Sequence, residues 1–83
     1  MKNIIALDIG GTSIKSAIVK SNGNFFKNSC KLLKIDSTRD KEYIINKCTY
    51  PIKKSLNLLN KTNKNFDGIA ISICHPFDFK KGV

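Results

Sequence analysis

The chain has 83 residues and a mass of 9.3 kDa, enough for one small domain at most, and its 41% hydrophobic and 25% charged residues predict a globular rather than a disordered chain. The apolar run at residues 4–7 is interrupted by Asp8, and no run reaches the roughly 18 apolar residues of a membrane span, so neither a signal peptide nor an anchor is predicted. Three widely spaced cysteines, Cys30, Cys48 and Cys74, are typical of reduced thiols and favour a cytoplasmic location.

The net charge of +9 comes from 15 Lys and Arg residues against 6 Asp and Glu residues. Positive charge of this size attracts nucleic acid and anionic membranes. The cations are almost all lysines, spread from Lys2 to Lys81 in runs of at most two, and Arg39 is the single arginine. We therefore expect a solvated lysine surface with no specific nucleic-acid or membrane partner, and keep a small basic nucleic-acid binder as the alternative.

Three strands are predicted in the first half of the chain. Residues 4–9 form a short apolar run that is typical of a strand buried on both faces. Residues 10–12, Gly-Gly-Thr, predict a tight hairpin into a second strand at residues 14–20, with glycine supplying positive φ angles. A second turn at residues 21–24 leads to a third, more exposed strand at residues 25–35.

A helix and a fourth strand are predicted in the second half. Ser37 is the expected N-cap, with Asp40 three residues later. Apolar residues recur at spacings of four, four, four and three along one helical face: Ile44, Cys48, Ile52, Leu56 and Leu59. Pro51 predicts a kink or two short helices that meet there. After a polar loop at residues 60–65, Gly68–Ile73 reads as a strand, and a Pro-containing loop follows at residues 74–79.

The element order is therefore strand-strand-strand-helix-strand, which predicts an α/β half-domain. Two tight hairpins make the first three strands antiparallel. A right-handed crossover through the helix places the fourth strand beside the first and parallel to it.

A group of polar residues follows the first strand. Asp8 ends a strand that is predicted to be buried, where a carboxylate needs a metal ion, water or a cation as partner. The turn at Gly10 and Gly11 directs backbone N–H groups outward as an anion nest, and the Thr12 hydroxyl adds a donor. Asp8 would hold Mg²⁺ through water beside the same phosphates, and Lys15 could reach back towards them. The same residues are equally compatible with a plain Gly-Gly hairpin and an edge aspartate.

Residues 7–15, Leu-Asp-Ile-Gly-Gly-Thr-Ser-Ile-Lys, resemble the first phosphate motif of ROK sugar kinases and repressors. These belong to the superfamily of sugar kinases, actin and heat-shock chaperones, which has a ribonuclease-H-like fold. Residues 68–83 resemble the ROK segment in which a small-apolar strand leads to Pro-Gly-Pro-x-Asp and a later glycine. The resemblance implies that residues 1–83 are a truncated N-terminal domain of an actin-like ATPase or sugar kinase, with the second domain absent.

The resemblance also implies roles for individual residues. The ATP β/γ-phosphates and Mg²⁺ would lie at Asp8, Gly10, Gly11 and Thr12, with Asp8 as the metal-binding residue. The substrate-side loop would carry His75, Pro76 and Asp78, directed towards the sugar. Cys74-His75 stands where the family usually has Pro-Gly, which places sugar binding of the usual form in question. Two less favoured interpretations of His75 are a zinc ligand with Cys74 and a general base.

The catalytic aspartate of ROK kinases, expected in an Asn-Asp motif, is not found in these 83 residues. ROK repressors carry a helix-turn-helix before the phosphate motif, and here that motif begins six residues after Met1, which favours a kinase. The resemblance therefore implies a fragment of an ATP-dependent ROK-type hexose kinase that is inactive alone. The alternative is a non-catalytic remnant or interaction module of a ROK-type protein. In either case the isolated chain is expected to self-associate through the open sheet edge at Gly68–Ile73 or to remain partly unfolded.

Overall fold

The computed structural model describes residues 2–36 and 38–73, which form a four-stranded mixed sheet with one helix packed on one face. The elements are β1 (Asn3–Ile9), β2 (Ser13–Lys20), β3 (Lys31–Lys34), α1 (Lys41–Lys61) and β4 (Gly68–Ile73). The sheet order is β3-β2-β1-β4, with β1 antiparallel to β2, β2 antiparallel to β3 and β1 parallel to β4. The predicted α/β class, element order and strand directions are confirmed.

The two faces of the sheet differ in burial. Along β1 buried and half-buried residues alternate, and the buried isoleucine and leucine side chains at positions 5, 7 and 9 lie on the helix side. Ile18 and Leu59 complete one core cluster with Ile5, while Ile14 joins Leu7 and Ile9 in another. The prediction that this strand is buried on both faces is therefore wrong, because α1 covers one face only.

Helix α1 begins at Lys41, and its N-cap is Asp40 rather than Ser37, which lies outside the described residues. The Asp40 carboxylate accepts a hydrogen bond from the Tyr43 N–H at 2.9 Å. Just upstream, the Asp36 carboxylate accepts the Thr38 N–H at 3.0 Å. The cap is therefore a carboxylate that accepts the N–H of the third helical residue, the usual role of an N-cap side chain.

Pro51 lies inside a single helix of 21 residues, so the expectation of two short helices is wrong. Its ring is buried on the side that faces the sheet. Leu56 is 36% exposed, contrary to the predicted apolar face, and Ser55 is buried instead. Each four-residue step overshoots a helical turn by about 40°, so three such steps carry Leu56 off the face that begins at Ile44.

Strand β3 is much shorter than the predicted strand at residues 25–35. Phe25 makes one isolated bridge to Val19, and Asn28 has a φ of 64°, which interrupts extended backbone. The Ile18 N–H of β2 donates to the Ser29 hydroxyl at 3.0 Å rather than to a backbone carbonyl of a neighbouring strand. Segment 26–30 is therefore an irregular loop that is joined to β2 by the Ser29 hydroxyl and by the Phe26 N–H, which donates to the Ile18 carbonyl at 2.8 Å.

The predicted turn at residues 21–24 is confirmed. Gly23 has a φ of +89°, and its N–H donates to the Lys20 carbonyl at 2.9 Å. Within residues 2–36 and 38–73, no helix combines the length and the apolar character needed to cross a membrane.

Candidate functional site

Asp8 lies near the end of β1, in one row across the sheet with Lys15 on β2 and Ser72 on β4. We call these three residues the polar row. Paired residues in neighbouring strands project to the same face. Asp8 therefore lies on the face opposite α1, and it is half-buried rather than enclosed. The polar row borders the turn between β1 and β2, so the topology brings Asp8, Lys15 and the Gly-Gly-Thr segment together as predicted.

The turn at residues 10–12 is held at both ends by backbone hydrogen bonds. The Gly10 N–H donates to the Ser13 carbonyl at 2.9 Å, and the Thr12 carbonyl accepts the Ile35 N–H at 2.9 Å. The second bond ties the turn to the chain leaving β3. Because the Gly10 N–H is used within the hairpin, it is not one of the outward donors that the sequence predicted.

The remaining donors of the turn are the N–H groups of Gly11 and Thr12 and the Thr12 hydroxyl. None of the three has a hydrogen-bond acceptor within the described ranges 2–36 and 38–73. Thr12 is exposed and Gly11 is half-buried. Successive N–H groups without internal acceptors are suited to an oxyanion such as phosphate, since a bound anion satisfies both of them.

The fold does not itself require glycine at position 10. Its φ lies outside the left-handed region, which corrects the expectation of a positive φ there. A Cβ at Gly10 would lie 3.5 Å from the Ser13 carbonyl oxygen, an ordinary van der Waals contact. Glycine at this position lacks the Cβ that would otherwise keep a ligand from approaching the backbone closely.

A groove of about 740 Å³ continues from the polar row along the same face of the sheet. Its floor is formed by Ala6, Ala17 and Ala70, which stand in register on three neighbouring strands, and Phe25 and Leu32 lie at its sides. This volume lies within the ~300–1,000 Å³ range of small-molecule sites. Sequence reasoning missed the groove, although small residues at three paired positions were the available signal.

Among the described residues that line the site, Asp8 is the only carboxylate. Among the described residues, no cluster of three or more His, Cys, Asp or Glu side chains could hold a metal ion. A single carboxylate suits Mg²⁺ only when phosphate oxygens and water complete the coordination, and Asp8 beside the turn fits that arrangement. His75, Pro76 and Asp78 of the predicted substrate-side loop, and Cys74, lie outside the described residues.

The two described cysteines are free thiols, in line with the sequence. Cys30 is exposed, whereas Cys48 packs against the core from α1. Burial raises the pKa of the Cys48 thiol, which keeps it protonated and a poor nucleophile.

No protein-family model, curated protein or solved structure matches this chain. The identity of the site therefore depends on its residues and geometry.

Proposed function

We propose that the turn at residues 8–12 binds the phosphates of ATP, as the first phosphate motif of a ROK-type hexose kinase of which this chain is the N-terminal part. The observation that carries the proposal is the pair of N–H groups at Gly11 and Thr12, which have no acceptor among the described residues and follow Asp8 by three and four residues in the chain. The Thr12 hydroxyl and the Lys15 ammonium supply further positive or donor groups near the same point. The order β3-β2-β1-β4, with β1 parallel to β4, is compatible with part of a ribonuclease-H-like domain.

In this function the chain's own residues bind and orient the nucleotide. The turn would hold phosphate oxygens through the Gly11 and Thr12 N–H groups. Asp8 would hold Mg²⁺, and the bound ion would supply positive charge that offsets the negative charge of the phosphates. Sugar binding is assigned to the loop with His75, Pro76 and Asp78, and the parent enzyme is placed in the cytoplasm.

The isolated chain is proposed to be catalytically inactive. Phosphoryl transfer depends on positioning both substrates and on a group that accepts the hydroxyl proton. These 83 residues contain no Asn-Asp motif to provide that base. We expect no hexose phosphorylation with MgATP. Turnover that purifies with the chain and disappears in Asp8→Ala would contradict this part of the proposal.

Titration of the chain with ADP, in the presence and absence of Mg²⁺, tests the nucleotide site. Binding should be stronger with Mg²⁺, and Asp8→Asn should remove that difference because it removes the charge that holds the ion. Asp67→Asn is the matched control. Asp67 lies at the opposite end of β1, where its carboxylate accepts the Asn3 N–H at 2.8 Å, a role that asparagine can keep. No ADP binding, or equal losses in both variants, would overturn the proposal.

The basic surface is proposed to have no specific nucleic-acid partner. Dispersed positive charge predicts weak, sequence-independent association with nucleic acid. This association weakens as the salt concentration rises, because the release of bound counterions then contributes less to binding. A sequence-selective complex that survives about 200 mM salt would contradict this expectation.

A further inference from the structure

The two edges of the described sheet are built differently. Strand β3 has four residues and carries Lys31 and Lys34 at its two ends. Strand β4 has six residues, Gly-Ile-Ala-Ile-Ser-Ile, with no charge, although lysine is abundant elsewhere in the chain. Short length and lysine side chains are the usual protection of an edge against pairing with another strand. Among the described residues, β3 has that protection and β4 lacks it.

The helix side of β4 is also uncovered by the described residues. Register places the β4 isoleucines on the same face as the buried core of β1. Helix α1 packs on β1, β2 and β3, and does not reach β4. The three isoleucines are 45%, 56% and 55% exposed, in the order Ile69, Ile71 and Ile73. An uncharged edge and an apolar row therefore coincide on one strand.

We propose that β4 pairs with β4 of a second copy of this chain, antiparallel, with Ile71 opposite Ile71 and Ile69 opposite Ile73. This register creates a two-fold axis at Ile71 and a continuous eight-stranded sheet, with both α1 helices on the same face. It sets isoleucine beside isoleucine on that face. A slip by one residue would pair each isoleucine with an alanine or a serine. The isoleucine rows of the two copies would then lie on opposite faces of the joined sheet.

The chemistry of the strand favours a second copy over an acidic partner. An acidic strand gains from cations along the edge that it joins, and β4 offers none. A neutral, apolar strand is complementary to itself under two-fold symmetry, since every isoleucine meets an isoleucine.

The dimer should be weak and favoured by salt. The contact of one strand with three half-exposed side chains is smaller than the roughly 1,200 Å² of a standard stable interface. Each copy also carries a net charge of +9, so the approach of two copies is opposed by repulsion that ions screen. We expect dissociation at low micromolar concentration, and a larger dimer fraction at higher ionic strength.

Sedimentation equilibrium of the full chain tests the proposal. Ile71→Lys should abolish the dimer, because it places two like charges at the two-fold axis. Leu32→Lys is the matched control, since Leu32 is 60% exposed on the opposite edge strand and its change should leave the dimer intact. A wild-type chain that stays monomeric at millimolar concentration and high salt overturns the proposal, as does equal loss of dimer in both variants.

Disulfide trapping tests the register in a background in which Cys30, Cys48 and Cys74 are replaced by serine or alanine. Residues directly opposite in an antiparallel pair have Cα atoms about 4.5–5.5 Å apart, within the range that a disulfide spans. Ile71→Cys should therefore form covalent dimers on oxidation. Ile69→Cys should not, because its symmetry mate is four residues out of register, about 13 Å away.

Trapping at position 69 but not at 71 would overturn the register. Hydrogen exchange tests the alternative that the edge of β4 pairs with another part of the same chain instead of a second copy. Protection of the β4 amides that is the same in monomer and dimer means that the edge is already covered within one copy, which would contradict the proposal. Protection that increases with protein concentration supports it.

Discussion

The turns at the two ends of β2 use their polar groups in opposite ways. In the turn at residues 21–24, the N–H groups of Gly23 and Asn24 donate to the Lys20 carbonyl and to the Asn22 side chain, and Gly23 needs its positive φ of 89°. In the turn at residues 10–12, the Gly11 and Thr12 N–H groups have no acceptor among the described residues, and Gly10 needs no positive φ. The first turn is explained by the fold alone, whereas the second leaves donors for a ligand.

Two buried serines differ in the same way, since one hydroxyl is hydrogen-bonded and the other has no partner among the described residues. Removing the bonded hydroxyl is expected to have the largest effect on the free energy of unfolding. Ser29 is buried, accepts the Ile18 N–H at 3.0 Å and donates to the Phe26 carbonyl at 2.7 Å. Ser16 is buried too, but its hydroxyl has no partner among the described residues. Ser29→Ala should lower the free energy of unfolding by about 1–3 kcal/mol, because the Ile18 N–H loses its acceptor.

Ser16→Ala is the matched variant, and it should leave the free energy of unfolding unchanged or raise it, because it removes a desolvated hydroxyl that makes no bond. Urea denaturation at a concentration where the chain is monomeric measures both variants. Equal destabilisation would mean that the Ser16 hydroxyl is bonded within the fold.

The glycines of the two turns provide the next test. Gly23→Ala should lower the free energy of unfolding by about 1–2 kcal/mol, since an L-residue is strained in the left-handed region, and should leave pyrophosphate binding unchanged. Gly10→Ala should change stability by less than about 0.5 kcal/mol. It should weaken pyrophosphate binding, because the added methyl group belongs to the residue directly before the Gly11 N–H donor and leaves less room for an anion there. The opposite pattern would mean that Gly10 serves the fold and Gly23 the ligand.

The Thr12 hydroxyl should contribute a smaller effect. Thr12→Val keeps the shape of the side chain and both backbone donors but removes one hydrogen bond, worth about 0.5–1.5 kcal/mol, or roughly a 2–12-fold loss of pyrophosphate affinity. The control is Thr49→Val on α1, where the hydroxyl donates to the Asn46 carbonyl at 2.7 Å. Calorimetric titration of both variants would show equal affinities if Thr12 does not contact the anion.

The smallest effect concerns Asp36, in the turn before α1. Hydrogen bonds from the Thr38 hydroxyl and N–H hold the pKa of the Asp36 carboxyl below its ordinary value of 3.8. A lowered pKa in the folded state means that the contribution to stability is present above the unfolded pKa and is lost as the pH falls through the folded one. As the pH falls below about 3.8, the melting temperature of the wild type should therefore decrease slightly more than that of Asp36→Asn, which has no carboxylate at this position to protonate. Glu42→Gln, an exposed substitution on the first turn of α1, controls for general charge, and identical pH profiles in all three proteins would contradict the expectation.

The strand order and the pairing of Asp8 with Lys15 beside the Gly-Gly-Thr turn could be predicted from the sequence because they depend on local patterns. Apolar runs separated by Gly-Gly-Thr and by Asn-Gly define antiparallel neighbours, and a helical period followed by an apolar run predicts a crossover. Asp8 and the turn then adjoin each other in the chain itself, so no long-range contact had to be inferred.

The features that the sequence did not predict depend on tertiary contacts. The Ser29 hydroxyl accepts the Ile18 N–H, Asp40 caps α1 by accepting the Tyr43 N–H, and the groove needs three alanines from separate strands in register. The hydrogen bond from the Gly10 N–H to the Ser13 carbonyl is a further example, because a sequence motif does not show which backbone N–H groups are bonded within the fold.

The central claim is that the turn at residues 10–12 binds phosphate through the donors that the fold does not use. An amide-by-amide NMR titration of the full chain with pyrophosphate, with and without Mg²⁺, tests it most directly. We expect saturable shifts at the Gly11 and Thr12 amides and none at the Gly23 and Asn24 amides, whose N–H groups are already bonded. Shifts that fail to saturate, or that are equal at the two turns, would contradict the claim.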